Sequence, residues 1–415
     1  MSRIRIKNFG PIKDGFRDEN GNEWMDIKKV TTFIGNQGSG KSTVAKLISI
    51  FTWLEKARNR GDEIKILTRD RFLEYFEYQG LHNYFSNNSI IEYSGDAFDI
   101  EVERDGFFTF FEKPNKEYSV PKIMYVPAER NFLSIVRNAF NVTGLPSSLF
   151  TFAEELRRAQ KELSGETVKL PINDYRYNYD ETTETSFLRA KDHQINLFEA
   201  SSGLQSSVPL FLVARNIALA IKNKDINRHD EKSVSQRLRM VDELLSIFED
   251  SSFKSLSKEE QAKRLANVSS KYLNTCFINI VEEPEQNLFP TSQWQMLQKL
   301  LEFNNMTEGN KLIMTTHSPY IINFISIAIQ AGHLKNKIEG APKKEELLEK
   351  LKSILPLNSI ISSDDTVIYQ LNEKDGSIRK LPEYEGIPSD RNYLNQLLRH
   401  GNEMFDSLLE IEQEL

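Results

Sequence analysis

Strict alternation opens the chain: in SRIRIKNF (residues 2–9) basic and apolar side chains take turns, and EWMDIKK (residues 23–29) repeats the period of two. Both segments are expected to be half-buried strands forming a hairpin across the turn-rich KDGFRDENGN. KVTTFIG is apolar enough for a buried strand, and KSTVAKLISIFTWLEKARNR predicts the helix after it, with Val44, Leu47, Ile48 and Phe51 at helical spacing. FDIEVERDGFFTFFEK predicts a hairpin turning at Arg104, Asp105 and Gly106, and KIMYVPAER an apolar strand ending in Pro127, Glu129 and Arg130. Residues 145–165 and 233–270 are expected to be helical, the latter with Ser257 to Glu260, SKEE, as a capping box.

In the last third strands alternate with helices. TCFINIVEE predicts a strand, PTSQWQMLQKLLEF a helix opened by Pro290, NKLIMTTHS a strand, and TVIYQLNEKDGSIRKL a hairpin, followed by an amphipathic helix or pair of helices in DRNYLNQLLRHGNEMFDSLLEIEQEL, residues 390–415. The fold class is therefore α/β, with a mainly parallel sheet, an antiparallel N-terminal β part and helical insertions, and with ligand sites at the strands' carboxyl ends. The expected division is residues 1–130 for the β hairpins and first half of the core, 131–270 for a helical region that includes 195–222 and an insertion at 223–270, 271–385 for the second half of the core, and 386–415 for the closing helices.

A length of 415 residues is enough for one large domain with insertions or a second lobe. The net charge of −7 lacks the basic balance of a dedicated nucleic-acid binder, though a local basic patch stays open. Cys276, the one cysteine, sits among apolar neighbours as a small buried hydrophobe and excludes an intrachain disulfide. The N-terminus has no apolar signal region, and the apolar runs VPLFLVARNIALAI, which contains Arg215, and YIINFISIAI are short for a bilayer. A soluble cytoplasmic protein without a membrane partner is expected.

Three stretches carry chemistry. FIGNQGSGKST contains G-x-x-x-x-G-K-[ST] between a strand and a helix: Gly35, Asn36, Gln37, Gly38, Ser39, Gly40, Lys41, Ser42 and Thr43. Glycines let backbone N–H groups close on phosphate oxygens, Lys41 reaches the β- and γ-phosphates of ATP, and Ser42 ligates Mg²⁺. FINIVEEPE delivers Glu282 and Glu283 at a strand end, Glu282 to hold the metal and Glu283 to activate the attacking water; a solvated strand end is the simpler alternative. His317 ends the following strand, where a lone histidine could equally be structural.

From Lys41 to Glu282 the gap is 241 residues, far longer than in an AAA+ ATPase. Within it, Ser201-Ser202-Gly203-Leu204-Gln205 opens a helix, as plain N-capping or as a second anion site. This segment resembles the L-S-G-G-Q signature of ABC-type ATPases, with Leu204 in place of glycine. Taken together, GNQGSGKST, YVPAER, SSGLQS, EEPEQNLFP and TTHSP resemble the ABC/SMC-like ATPase superfamily in its branch of OLD-family and AAA15/AAA21-type proteins, and within it the ATPase subunits of PARIS anti-phage defence systems.

That resemblance implies that Ser202, Gly203 and Gln205 close over ATP held by a second subunit in at least a homodimer. It makes His317 the switch histidine at the γ-phosphate and Glu285 to Pro290 a D-loop crossing the interface. At the Q-loop position the chain offers Glu129 and Arg130 where glutamine is usual, and Glu129 is a candidate metal or water ligand. The resemblance further implies a sensor restraining a toxic effector of TOPRIM nuclease type until a phage-encoded trigger protein is met. The chain has no length for a nuclease after its ATPase elements, so the effector is expected on a separate polypeptide. The alternative is a DNA-repair ATPase of the RecF or Rad50 kind, for which a basic face or long heptads would be expected. A transporter subunit and a non-hydrolysing scaffold fit less well, the scaffold because Glu283 is present.

Overall fold

A computed structural model describes residues 2–61, 69–102, 108–114, 118–136, 139–223, 234–250, 253, 256–261, 264 and 273–413. Its centre is a seven-stranded sheet in the order Gly15–Phe16, Ser377–Lys380, Thr366–Leu371, Val30–Gly35, Lys311–Thr316, Cys276–Glu282, Pro121–Val126. The last five of these run parallel to one another, and Ser377–Lys380 pairs antiparallel with Thr366–Leu371. Their near-continuous apolar runs reflect burial on both faces.

The period of two sorts these strands' side chains between two cores. Phe33, Tyr125, Ile278, Ile280, Ile313 and Val367 face helix Lys41–Asn59 and an antiparallel sheet, in the order Met25–Ile27, Ser2–Lys7, Ile90–Ser94, Phe98–Val102, Phe108–Glu112. Ile34, Val126, Val281, Leu312, Met314 and Ile368 join the opposite core with helices Ser202–Lys222, Pro290–Asn304 and Pro319–Ile338. The predicted pairing of the first two strand segments is present, with Ser2 opposite Ile27. Helix Lys41–Asn59 buries Val44, Leu47, Ile48 and Phe51 as its spacing requires. The turn at Arg104 to Gly106 lies outside the described residues, while the strands on either side pair antiparallel.

Two expectations change. The region expected to be helical from 131 to 270 contains helices Ser147–Glu162 and Val234–Glu249, but between the first of these and the Ser202 helix lies a four-stranded antiparallel sheet, ordered Gln194–Asn196, Thr185–Arg189, Arg176–Asp180, Thr167–Lys169. Tyr177, Tyr179 and Leu188 are buried at alternate positions along its central strands, a period of two that RYNYD carries over only five residues. Helix Ser202–Lys222 is also long and apolar enough to cross a membrane by length and composition, but 89% of its most apolar window is buried inside the protein, so it serves as a core helix. The Ser257 capping box forms, with Ser257 N donating to Glu260 Oε2 at 2.9 Å and Glu260 N to Ser257 Oγ at 3.3 Å.

The antiparallel sheet is fastened to the helix after the P-loop by a buried carboxylate. Glu55 accepts bonds from the backbone N–H groups of Ala97 (2.6 Å) and Phe98 (3.2 Å) and from the Tyr93 hydroxyl (3.2 Å). Burial raises its pKa, and the two N–H bonds oppose the rise. Glu55→Ala should leave both N–H groups without a partner and lower the unfolding free energy by about 3 kcal/mol, read as a shift in denaturant midpoint.

Candidate active site

The P-loop leaves the carboxyl end of strand Val30–Gly35, which is flanked on both sides by parallel partners. Gly35 has φ 153°, and a Cβ there would lie 2.5 Å from the carbonyl oxygen of Leu371, so the loop passes too close to its neighbour for a side chain. Lys41 Nζ donates to the carbonyls of Gly35 and Asn36, each at 2.9 Å, which places the ammonium over the loop. Burial lowers its pKa to about 8, against the opposing charges of Glu283, Glu285, Glu282 and Glu373. Ser42 is exposed on the first turn of the helix, Thr43 is buried, and Asn36 Nδ2 ties the loop to Glu373 at 3.3 Å.

The acidic strand ends in the same crevice. Glu282 is only 5% exposed; its Oε2 accepts the N–H of Ala128 at 3.2 Å, and its Oε1 is buried without a protein partner. A buried carboxylate oxygen left open beside a phosphate cradle fits a cation or its water. Among the described residues no group of three or more His, Cys, Asp or Glu is placed to hold a metal. Magnesium at Ser42 and Glu282 would therefore draw its other ligands from phosphate and water, as this ion commonly does.

Glu283 adopts φ 44°, a left-handed conformation that costs a side chain of this kind about 1–3 kcal/mol, and its N–H donates to Thr315 O at 2.9 Å. Burial, then the neighbouring charge of Glu282, raises its pKa. His317 Nε2 lies 3.5 Å from Glu283 Oε1, and burial, then Lys41, lowers the imidazole pKa. At neutral pH the imidazole beside the Glu283 carboxyl is therefore neutral.

Two residues whose roles the sequence did not assign complete the frame. Glu285 accepts from Thr316 Oγ1 and from the backbone N–H of His317, both at 2.7 Å, and so orients the end of the histidine strand. Arg130 has no exposed surface: Nε donates to Ser206 O (3.1 Å), one terminal nitrogen to Pro127 O (3.2 Å) and Glu282 O (2.6 Å), and the other to Glu283 O (2.6 Å). Burial lowers its pKa to about 10, so the guanidinium stays charged. An arginine ending an apolar strand could have been read as a buried pin, but its sequence position next to Glu129 drew attention to the carboxylate. Glu129 stands exposed in the one-turn helix Ala128–Asn131, its negative charge felt by Glu283.

The helix-opening serines make no side-chain hydrogen bond to this cluster among the described residues, although their helix is tied to it through Ser206 O, which accepts from Arg130 Nε at 3.1 Å. Ser201 makes no side-chain cap bond, Ser202 is exposed, and no hydrogen bond among the described residues links Ser202 or Gly203 to the P-loop. A Cβ on Gly203 would lie 2.6 Å from Asn287 O, so the helix start packs directly on the Glu285–Pro290 loop. Asn287 is itself left-handed, at φ 58°. Gln205 is buried and donates to Phe198 O at 2.9 Å, which turns its amide toward the preceding loop.

Residues 255–322, a minor part of the chain, match the AAA ATPase domain family AAA_15. No protein of curated function matches. Similar solved structures include an SMC head domain from Thermotoga maritima (12% identity, 92% of this chain and 98% of that one, TM-score 0.34). They also include an SMC head bound to the C-winged helix domain of ScpA (9%, 91% and 96%, TM-score 0.32). A third is an ATP-binding cassette in a dimeric post-hydrolysis state with ADP and Pi (12%, 92% and 100%, TM-score 0.28). Scores this low carry no argument. The P-loop at the end of one strand, the acidic end of the strand two places away in the sheet, and the AAA_15 match over that acidic strand make this part of the chain similar to an AAA ATPase domain.

Two outcomes follow from this geometry. Arg130→Met should destabilise the fold by roughly 3 kcal/mol and lower kcat at least tenfold while changing ATP affinity less, with Arg130→Lys intermediate because one ammonium cannot span four carbonyls. Because free Lys41 titrates at about 8, kcat/KM for ATP should fall as pH rises above that value. The kcat profile should hold to higher pH, since bound phosphate favours the protonated amine.

Proposed function

We propose that the chain hydrolyses ATP, with magnesium, at sites shared between two copies, and uses the cycle as a switch. The convergence of Lys41, Glu282, Glu283 and His317 at adjacent strand ends carries this reading. Lys41 exchanges the Gly35 and Asn36 carbonyls for phosphate oxygens, and Glu283 accepts a proton from the attacking water. His317, held through its backbone by Glu285, donates toward the γ-phosphate. Ser42 and Glu282 would hold a magnesium ion, which would supply charge neutralisation at the phosphates.

Hydrolysis is taken to need the second copy, since Ser202 and Gly203 open a different helix and, among the described residues, make no hydrogen bond to the P-loop of their own chain. On this reading they meet the nucleotide of a facing subunit. The likeness of the motifs to PARIS ATPase subunits supports a cytoplasmic anti-phage sensor that restrains a separate TOPRIM-type nuclease and responds to a phage-encoded trigger. A partner surface is available on helix Val234–Glu249, where Val241, Leu245 and Phe248 are each at least half exposed.

Glu283→Gln should retain ATP binding, slow hydrolysis at least a hundredfold and accumulate an ATP-bound dimer, read by light scattering with and without Mg-ATP. Hydrolysis at the wild-type rate by this variant would remove Glu283 from its assigned role.

A further inference from the structure

Helix Tyr393–Gln413 leaves most of its length uncovered by the rest of the described residues. Asn392 caps it, Oδ1 accepting the N–H of Asn395 at 3.0 Å, Tyr393 N donates to Gln370 Oε1 at 2.9 Å, and Leu394 packs on the core. From Gln396 onward every described residue is exposed. Leu397, Leu398, Met404, Phe405, Leu408 and Ile411 are each 53–64% exposed and Leu409 39%, an apolar surface with polar residues between.

The spacing along this surface specifies what covers it. Leu394, Leu397, Gly401, Met404, Leu408 and Ile411 alternate steps of three and four, the 3.5-residue period of a seam between two helices. Pairing the helix with its own reversed copy sets Leu397 against Leu408, Gly401 against Met404, and Leu394 against Ile411. Each of these positions then meets its complement, and the one glycine meets the longest unbranched side chain. Gly401 has no neighbouring atom to obstruct such an approach.

Charge selects the same orientation. Arg399 and His400 are the basic groups of the helix and lie in its first half; Glu403, Asp406, Glu410 and Glu412 fill the second, with His400 also facing Glu403 of its own helix at 3.5 Å. An antiparallel pair places each basic half beside an acidic half, whereas a parallel pair stacks the acidic halves together. Since each helix is rooted in its body only at its N-terminal end, antiparallel pairing also leaves the two bodies at opposite ends.

We infer that this helix is a second self-association surface, pairing antiparallel with the same helix of another copy, and that it does so without nucleotide. The inference does not depend on the shared ATP site, and two independent interfaces on one chain would link copies into assemblies larger than a dimer.

Sedimentation of the nucleotide-free full chain at micromolar concentration, alongside Leu397→Lys/Leu408→Lys, tests it. Both leucines are exposed, so the double variant should fold and bind ATP as the wild type does. Wild type should sediment as a dimer, as should Lys41→Ala, and the double variant as a monomer. A monomeric wild type, or a double variant that still dimerises, overturns the inference. Orientation is read by mixing Gly401→Cys and Met404→Cys chains under oxidation, Cys276 being buried. Mixed 401–404 disulfides are expected, and 401–401 with 404–404 disulfides would overturn antiparallel pairing.

Discussion

A guanidinium withdrawn entirely from water fixes where the chemistry happens. Arg130 holds the carbonyls of Glu282 and Glu283 with one face of its fork and reaches Ser206 and Pro127 with the rest, so the acidic strand end, the strand beside it and the Ser202 helix share one buried cation. Such a charge is tolerable only when its donors are satisfied, and four carbonyl oxygens meet that condition. The left-handed backbone of Glu283 is held at that same point, by the guanidinium on its carbonyl and by Thr315 on its N–H. The strain of that conformation is therefore borne by the frame that aims the carboxylate.

Around this pin, the sheet supplies the rest by register. Glu282 is paired with Thr315, and Thr316 with Ile34, so the acidic end, the histidine end and the root of the P-loop emerge together at one edge of the sheet. Lys41 and Glu283 then feel one another, Lys41 with its amine near 8 and Glu283 with its carboxyl raised by burial. Two groups whose protonation is moved toward neutrality in one crevice suit phosphate binding and proton removal from water.

The central sheet and its chemistry were legible in the sequence because each strand is a short apolar run that ends in a polar signal: GNQGSGKS, EEPE or THS. What was illegible followed from two causes. Tyr177, Tyr179 and Leu188 lie in strands of only three to five residues, so the alternation in RYNYD is too short to stand out within a span expected to be helical. Arg130 and Glu285 act through backbone groups of residues distant in sequence, Arg130 on Glu282 and Ser206, Glu285 on His317, and no spacing rule reports such a contact. The start of the Ser202 helix was found through its motif, while its seat against Asn287, which admits only glycine at 203, required the fold.

The central claim is that one site takes its P-loop from one subunit and its closing helix from another, and subunit mixing tests it most directly. Lys41→Ala removes the phosphate's cation, and Ser202→Arg sets bulk and charge on the closing surface; each alone should be inactive. Mixed and allowed to exchange, a heterodimer has one site with both defects and one with neither, so random pairing should restore about a quarter of wild-type hydrolysis. No recovery from chains shown to exchange, or full activity in a wild-type preparation shown to be monomeric, would contradict the shared site.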